Sequence, residues 1–432
     1  MTSLDVSVLQ GIPYVPGCAQ GKPQRRVLSA TAGDILIISQ HELEPLTDQK
    51  PAALIVVDGA PFSHRMIQLI NRGVPIVIIS GQQANGLRDA GFIQVNGTTG
   101  EIRQSREPQS LACTIPDISE AGKPVRSKDG ADVWLRASVS HVAGSAKALS
   151  HGAAAVGLVR SELLQPLATG IPDEAFYYQE FGAICDSAAP LPVTIRLLDL
   201  APDKQPSWLQ HISGMQGPLG MQGARLYRHE TMRQVVEGQI AAIDNLAAHF
   251  KLQLIIPYIT TLGEFRHWRD YVRTRLTHNI AVGAMAETPA ALLDMNHWFD
   301  DADFVAIGTN DLMQCLFAAD RDLPPLRHYL NPYAPFLFRL LHRAALDIGN
   351  RNHKVQVCGL MSQFPGILPL LLAMGYRAFS VEPTRIPYLA QTVTRTDVRA
   401  TQHLVEQVYN ASNAKAVCQL LDVPLPAIWS DE

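Results

Sequence analysis

The clearest hydrophobic pattern lies at residues 279–311, NIAVGAMAETPAALLDMNHWFDDADFVAIGTND. Two short apolar runs, Ile280–Met285 and Phe304–Ile307, predict buried parallel strands. Between them Thr288–Asp300 opens with Thr-Pro-Ala-Ala-Leu-Leu, a helix start with Pro at its first position. The unit is strand–helix–strand, and Glu287, Asn310 and Asp311 follow its two strands on the edge where α/β proteins bind ligands. Two acids there could hold a divalent cation through oxygen ligands. On these residues alone, Glu287 as a helix cap and Asp311 as a structural hydrogen-bonding group stay open.

The same alternation runs through the second part of the chain. Strands are expected at Val133–Val139, Ala155–Val159, Val193–Leu198, Leu252–Ile256, Ile280–Met285, Phe304–Ile307, Val355–Cys358 and Ala378–Val381, with helical stretches between. Eight such units are what a closed (β/α)8 TIM barrel requires, an open doubly wound sheet being the alternative. Residues 1–105 read as a smaller, strand-rich α/β domain. Its strands are DILIIS (34–39), ALIVV (53–57) and PIVII (75–79), with a helical pattern over Arg65–Asn71. GFIQVNGTTG (91–100) predicts a hairpin turning at Asn96-Gly97. From about 104 to 130 the pattern is broken by Pro108, Pro116 and Pro124. The expected organisation is therefore a domain over 1–105, a linker over 106–130 and a barrel over 131–432. The 27 residues 104–130 could extend to roughly 90 Å at about 3.3 Å each, so large domain movement is allowed.

Composition narrows the function classes. The 432 residues are 47% hydrophobic and carry a net charge of −4, which argues against binding nucleic acid by overall charge. The six cysteines form no CxxC and no zinc-spaced cluster, so reduced thiols and a cytoplasmic location are expected. MTSLDVSVLQ has no signal-peptide pattern, and no apolar run approaches a membrane span, so no membrane association is expected. Neither GxxxxGK[ST] nor a GxGxxG after a first strand is present. Polar groups instead gather where barrel strands end: Arg160 and Glu162, Arg196 and Asp199 with Lys204 beyond, Glu287, Asn310 and Asp311, and Cys358. Cations and acids around one rim point to a site for a metal and a polyanion.

At this point the chain resembles the phosphoenolpyruvate-utilising enzymes, closest to enzyme I of the bacterial sugar phosphotransferase system. The resemblance is carried by GIPYVPGCAQGK (11–22), GAPFSHRMIQLINRGVPIV (59–77), GAAAVGLVRSELL (152–164), TIRLLDLAPDK (194–204), GPLGMQGARLY (217–227), MAETPAA (285–291), DFVAIGTNDLMQ (303–314), AADR (318–321), CGLMS (358–362) and FSVEPTRIP (379–387). It implies a mobile phosphohistidine domain followed by a (β/α)8 barrel that binds phosphoenolpyruvate (PEP). His64 would carry the phosphoryl group, its neutral imidazole being a nucleophile near pH 7 and placed by a helix start. Glu287 and Asp311 match the family's Mg²⁺ ligands. Arg160, Arg196 and Arg321 match arginines that hold the phosphate and carboxylate of PEP, and Asn310 fits a phosphate contact. Cys358 matches the acid that protonates the pyruvate enolate. A homodimer through the barrel is also implied.

Several departures bear on activity. The family writes LG-x-R-G-x-R where this chain has LGMQGAR (219–225), so Gln222 replaces an arginine while Arg225 remains. The phosphohistidine loop usually reads Gly-Gly-x-Thr-Ser-His and here is GAPFSH (59–64), with Phe62 in place of the threonine. CGE has become Cys358-Gly359-Leu360, and GGDK has become APDK (201–204). The helical insertion by which enzyme I docks its phosphocarrier has no room between residue 30 and DILIIS, and no ATP-grasp domain is recognised. The first expectation is a Mg²⁺-dependent phosphotransferase that moves a phosphoryl group from PEP to His64 and on to an unidentified acceptor protein. Two others stay open: a catalytically impaired PEP- or pyruvate-binding sensor or scaffold, and a barrel enzyme for another phospho-acid.

Overall fold

The computed structural model describes residues 8–430 apart from 28–29, 44–49, 71, 88–90, 110–113, 165, 167–169, 201–205, 207 and 210–214. Lys204, the APDK segment and Cys113 lie outside the described residues, as does Asn71 at the end of the expected first helix. The chain divides into two compact units. The first comprises Met1–Pro116, Ala319–Tyr333 and Asp422–Glu432, and the second Asp117–Ala318 and Ala334–Leu421. No helix of the described residues is long and apolar enough to cross a membrane.

The first unit is built on an eight-stranded sheet. Its strands are β1 (Val8–Gln10), β2 (Ile12–Val15), β3 (Cys18–Gln24), β4 (Asp34–Ser39), β5 (Ala53–Val57), β6 (Ile76–Ile79), β7 (Phe92–Asn96) and β8 (Glu101–Ser105), in the order β1-β8-β7-β3-β4-β5-β6-β2. Strands β3 to β6 run parallel, with Leu36 opposite Leu54 and Leu54 opposite Ile76. The continuous apolar runs of β4, β5 and β6 are buried on both faces, as parallel strands require. Helix α1 (His64–Ile70) begins on His64 itself and buries Met66, Ile67, Leu69 and Ile70. Its short α2 (Gly81–Asn85) starts in a capping box between Ser80 and Gln83.

Two expectations for this unit are corrected. The hairpin turns over Gly97–Gly100 rather than at Asn96-Gly97, and its second strand is Glu101–Ser105, paired antiparallel with β7. Asn96 determines this longer turn, because its side-chain oxygen accepts from the backbone of Thr98 and Thr99 while Gly100 takes φ +82°. The thiols are also not all reduced: Cys18 is disulfide-bonded, whereas Cys185, Cys315, Cys358 and Cys418 are free.

The second unit is a closed barrel of eight parallel strands. These are β10 (Asp132–Val139), β11 (Val156–Arg160), β12 (Val193–Arg196), β13 (Leu252–Ile259), β14 (Ala281–Ala286), β15 (Val305–Gly308), β16 (Val355–Cys358) and β17 (Ala378–Val381). Neighbours pair in order, and β10 closes the ring on both β17 and β11, with a short β9 (Val125–Arg126) antiparallel on β10. Helices return the chain between strands, among them α4 (Glu174–Ala188), α5 (Glu230–Leu246), α6 (Leu262–Arg273) and α9 (Pro335–Ile348). After β14 the expected helix start is observed. Thr288 caps it by accepting from the backbone N–H of Ala291, and Pro289 opens the helix Pro289–Asp294. The interior packs Leu158, Ile255, Met285, Phe304, Ala306 and Cys358 together. Polar pairs also lie within the barrel wall, including Ser138–Ser380 at 2.9 Å and Arg136–Gln356 at 3.0 Å.

Candidate active site at the barrel rim and the His64 cluster

Strand ends of the barrel carry the charged groups. Arg196, the last residue of β12, is 6% exposed and lies between two carboxylates. Its Nη2 donates to Glu162 at 2.5 Å and its Nη1 reaches Asp199 at 2.8 Å. Burial works against the guanidinium charge, but Asp199, Glu162, Glu287 and Asp311 outweigh it and hold the group firmly protonated. Arg160, the last residue of β11, pairs through Nη2 with the buried Glu382 at 2.9 Å. Glu382 follows β17, so the ends of non-consecutive strands are tied across the rim.

Glu287 lies just beyond β14 and is 1% exposed. Burial first, and then the charges of Asp311 and Asp199, push its carboxyl well above the usual range, against the pull of Arg196 and the backbone N–H of Tyr258. Asp311 is the third residue of helix α8 (Thr309–Phe317), which starts where β15 ends. Gly308 supplies the close approach: a Cβ there would collide with the Glu287 side chain. Gly359 does the same for Thr309 and Asn310, and its φ of +102° suits glycine alone. Asn310 Oδ1 accepts from the backbone N–H of Leu360 at 3.0 Å, so its amide group is oriented from the turn that follows β16.

This donor set fits a hard divalent cation. Burial and the neighbouring charge of Asp311 raise the cost of ionising Glu287, and a cation between the two carboxylates would remove that cost. Among the described residues no group of three or more His, Cys, Asp and Glu side chains forms a metal cage. Two carboxylates with the remaining positions left to substrate oxygens and water is the usual arrangement for Mg²⁺.

Cys358, the last residue of β16, is buried and free, and burial pushes its thiol up to about 12. It therefore keeps its proton at neutral pH and can act only as an acid or as packing. Gln222, at the position of the missing arginine, is 4% exposed and donates to the carbonyl of Pro218. Arg225 donates to Thr260 Oγ1 at 3.0 Å and lies over the Tyr258 ring at 5.0 Å.

Tyr258, Thr260 and Glu382 were not singled out from the sequence. Tyr258 takes φ +52°, rare for a bulky residue, where the β13–β14 register shifts. This turns its N–H onto Glu287 Oε1 at 2.8 Å. A bulge-forming tyrosine has no local sequence signature, whereas Glu382 stood at a strand end and could have been read there.

Arg321 lies with Asp322 on the stretch Ala319–Tyr333, which belongs to the first unit, and there it meets His64. Arg321 Nη2 is 2.7 Å from His64 Nε2, and Asp322 Oδ2 is 2.7 Å from His64 Nδ1. Asp322 Oδ1 also accepts from the backbone N–H of His64 at 2.8 Å. The loop before His64 is pinned by Gln40, which accepts from Ala60 N and donates to Ser63 Oγ, and by Tyr14, whose hydroxyl donates to Pro61 O. Phe62 is 1% exposed and fills the core where the related loops have threonine.

Comparison with known proteins agrees with this architecture. Residues 119–398 match the family described as PEP-utilising enzyme, PEP-binding domain. The chain is 26% identical to the phosphoenolpyruvate-protein phosphotransferase of Buchnera aphidicola subsp. Schizaphis graminum, over 84% of this chain and 67% of that one. It is 27% identical to the phosphoenolpyruvate-protein phosphotransferase of Streptococcus equinus, over 86% of this chain and 69% of that one. Multiphosphoryl transfer protein 1 of Escherichia coli (strain K12) is 27% identical over 92% of this chain and 48% of its own length. The chain thus spans about two thirds of the phosphotransferases and about half of the multiphosphoryl transfer protein. With all eight barrel strands inside the matched span, the chain belongs to the family of PEP-utilising enzymes.

Proposed function

We propose that the protein is a Mg²⁺-dependent phosphotransferase that moves a phosphoryl group from PEP to its own His64 and then to an acceptor protein. The observation that carries this reading is the rim set: Arg196 buried among Glu162, Asp199, Glu287 and Asp311, with the protonated Cys358 on the neighbouring strand end. The relatives named as phosphoenolpyruvate-protein phosphotransferases support the substrate class.

In this reading Arg160, Arg196 and Asn310 bind the carboxylate and phosphate oxygens of PEP, and Glu287 with Asp311 holds Mg²⁺. The cation, when bound, supplies positive charge to those oxygens. A His64 nitrogen forms the N–P bond while the P–O bond to the enol oxygen breaks, and the electron pair leaves with the enolate. Cys358 gives its proton to the enolate carbon to form pyruvate, and its thiolate is reprotonated from solvent. Arg321, 2.7 Å from His64 Nε2, would neutralise charge on the transferred group. A cytoplasmic homodimer belongs to the same proposal and rests on the resemblance; sedimentation velocity would show it.

A second reading, a PEP- or pyruvate-binding sensor, is favoured by Gln222. Its amide is buried and spent on Pro218 O, so it adds no cation to the site. Incubation with PEP and Mg²⁺ separates the two. Intact mass should show one added phosphoryl group, stable in base and labile in acid, absent from His64→Ala and Glu287→Gln. A wild-type protein that binds PEP and stays unmodified makes the sensor reading the correct one.

A further inference from the structure

We infer that Asp322 is a positioning residue that fixes the tautomer of His64, placing the ring proton on Nδ1 and leaving Nε2 as the nucleophilic atom. The inference rests on the reading of His64 as the phosphoryl carrier.

The donor and acceptor capacities of the two neighbours select the tautomer. Burial opposes ionisation of Asp322, but hydrogen bonding to His64 and the Arg321 charge outweigh it and hold the carboxyl at about 2. At neutral pH Asp322 is therefore an ionised carboxylate, which can only accept. It lies 2.7 Å from Nδ1, so Nδ1 must donate. On the other side of the ring is a guanidinium, which can only donate, 2.7 Å from Nε2. Both neighbours thus require the same tautomer. The backbone makes the arrangement rigid: the second oxygen of Asp322 accepts from the N–H of His64 at 2.8 Å, so the carboxylate grips ring and main chain together. In GAPFSH the threonine position of the related loops is Phe62, which brings no polar group to the imidazole. The carboxylate that orients the imidazole comes from a stretch 258 residues away.

Asp322 also acts on charge. As Nε2 forms its bond to phosphorus, with the P–O bond to the enol oxygen breaking, the ring gains positive charge while Nδ1 keeps its proton. A carboxylate at Nδ1 stabilises that charge, as an aspartate does behind a catalytic imidazole.

The isosteric variant Asp322→Asn gives a sharp test. The main-chain N–H of His64 retains the amide oxygen, which turns the NH2 group toward Nδ1. Donors then face both ring nitrogens, since Arg321 still lies at Nε2, so the preference for Nδ1–H over Nε2–H is lost. Protein labelled with ¹⁵N at histidine reports the tautomer of His64 by two-bond ¹H–¹⁵N correlation, with His64→Gln assigning the signal. The wild type is expected to carry the proton on Nδ1 alone, and Asp322→Asn to populate the Nε2–H form beside it. The maximal rate of phosphoryl uptake from PEP should fall about 10²-fold or more, with half-saturation by PEP unchanged because the barrel is untouched. A wild-type ring protonated on Nε2 overturns the inference, and so does an Asp322→Asn variant with unchanged tautomer and rate. A wild type that takes up no phosphoryl group, yet shows a single Nδ1–H tautomer that Asp322→Asn turns into a mixture, sinks the phosphotransferase reading and upholds the role of Asp322.

Discussion

The backbone N–H of Tyr258 donates to Oε1 of Glu287 across 2.8 Å, and it points there because Tyr258 adopts φ +52° at an irregularity in β13. A strained tyrosine on one strand thereby aims an acid on the next. Such strain persists where the surrounding structure over-determines it, and it gathers at functional sites.

Glu287 has a folded-state carboxyl raised above its usual 4.5, so the folded protein binds the proton more tightly than the unfolded chain. Its contribution to stability is therefore lost as pH rises from about 4.5 through the raised folded value. Thermal melts at pH 5 and pH 8 should show a larger loss for wild type than for Glu287→Gln. Added Mg²⁺ at pH 8 should raise the wild-type midpoint and leave that of Glu287→Gln unchanged. Equal responses in the two proteins would remove Glu287 as a metal ligand.

Gly308→Ala should move the Glu287 side chain, since the new Cβ has no room beside it. A cost of about 1–3 kcal/mol is expected from overpacking, together with weaker Mg²⁺ stabilisation. Gly263→Ala is the matched control, because a Cβ there meets nothing within 4 Å and the position lies inside α6. That change should be neutral or stabilising by up to about 1 kcal/mol. Denaturant unfolding of both variants, with and without Mg²⁺, decides the matter.

Arg160→Gln should destabilise the barrel by roughly 3 kcal/mol, because Glu382 is then left charged and unpaired at 2% exposure. The double change Arg160→Gln with Glu382→Gln should recover most of that loss. PEP binding, measured by calorimetry, should not recover. Recovery of binding with stability would show that Arg160 only neutralises Glu382.

Cys358 should resist iodoacetamide at pH 8 in the folded protein and react in denaturant, its thiol being buried and held up at about 12. Cys358→Ala should slow pyruvate formation about 10²-fold while PEP still binds. Rapid labelling of the native protein would sink the description of Cys358 as a retained acid.

All eight barrel strands stand within three residues of the sequence reading, because parallel strands buried on both faces are written as continuous apolar runs. The hairpin turn slipped because its second strand, EIRQS, is polar and only half covered, so no alternation marks it. The strand-end positions of Arg196, Glu287, Asp311 and Cys358 were legible because each follows a continuous apolar run, and strand ends are where a barrel places chemistry. Arg160 was found the same way, but its partner is 222 residues on, and no local pattern connects them.

The sequence alone determined which segments form the barrel and which side chains reach its rim. Those choices depend on apolar run length and strand alternation, which are local. Only tertiary structure decided that Tyr258 would turn its N–H onto Glu287, that Glu382 would neutralise Arg160, and that Arg321 and Asp322 would lie against His64. Each of those outcomes is a polar pairing between distant segments. Once folding excludes water, a buried charge must take the partner the packing brings to it.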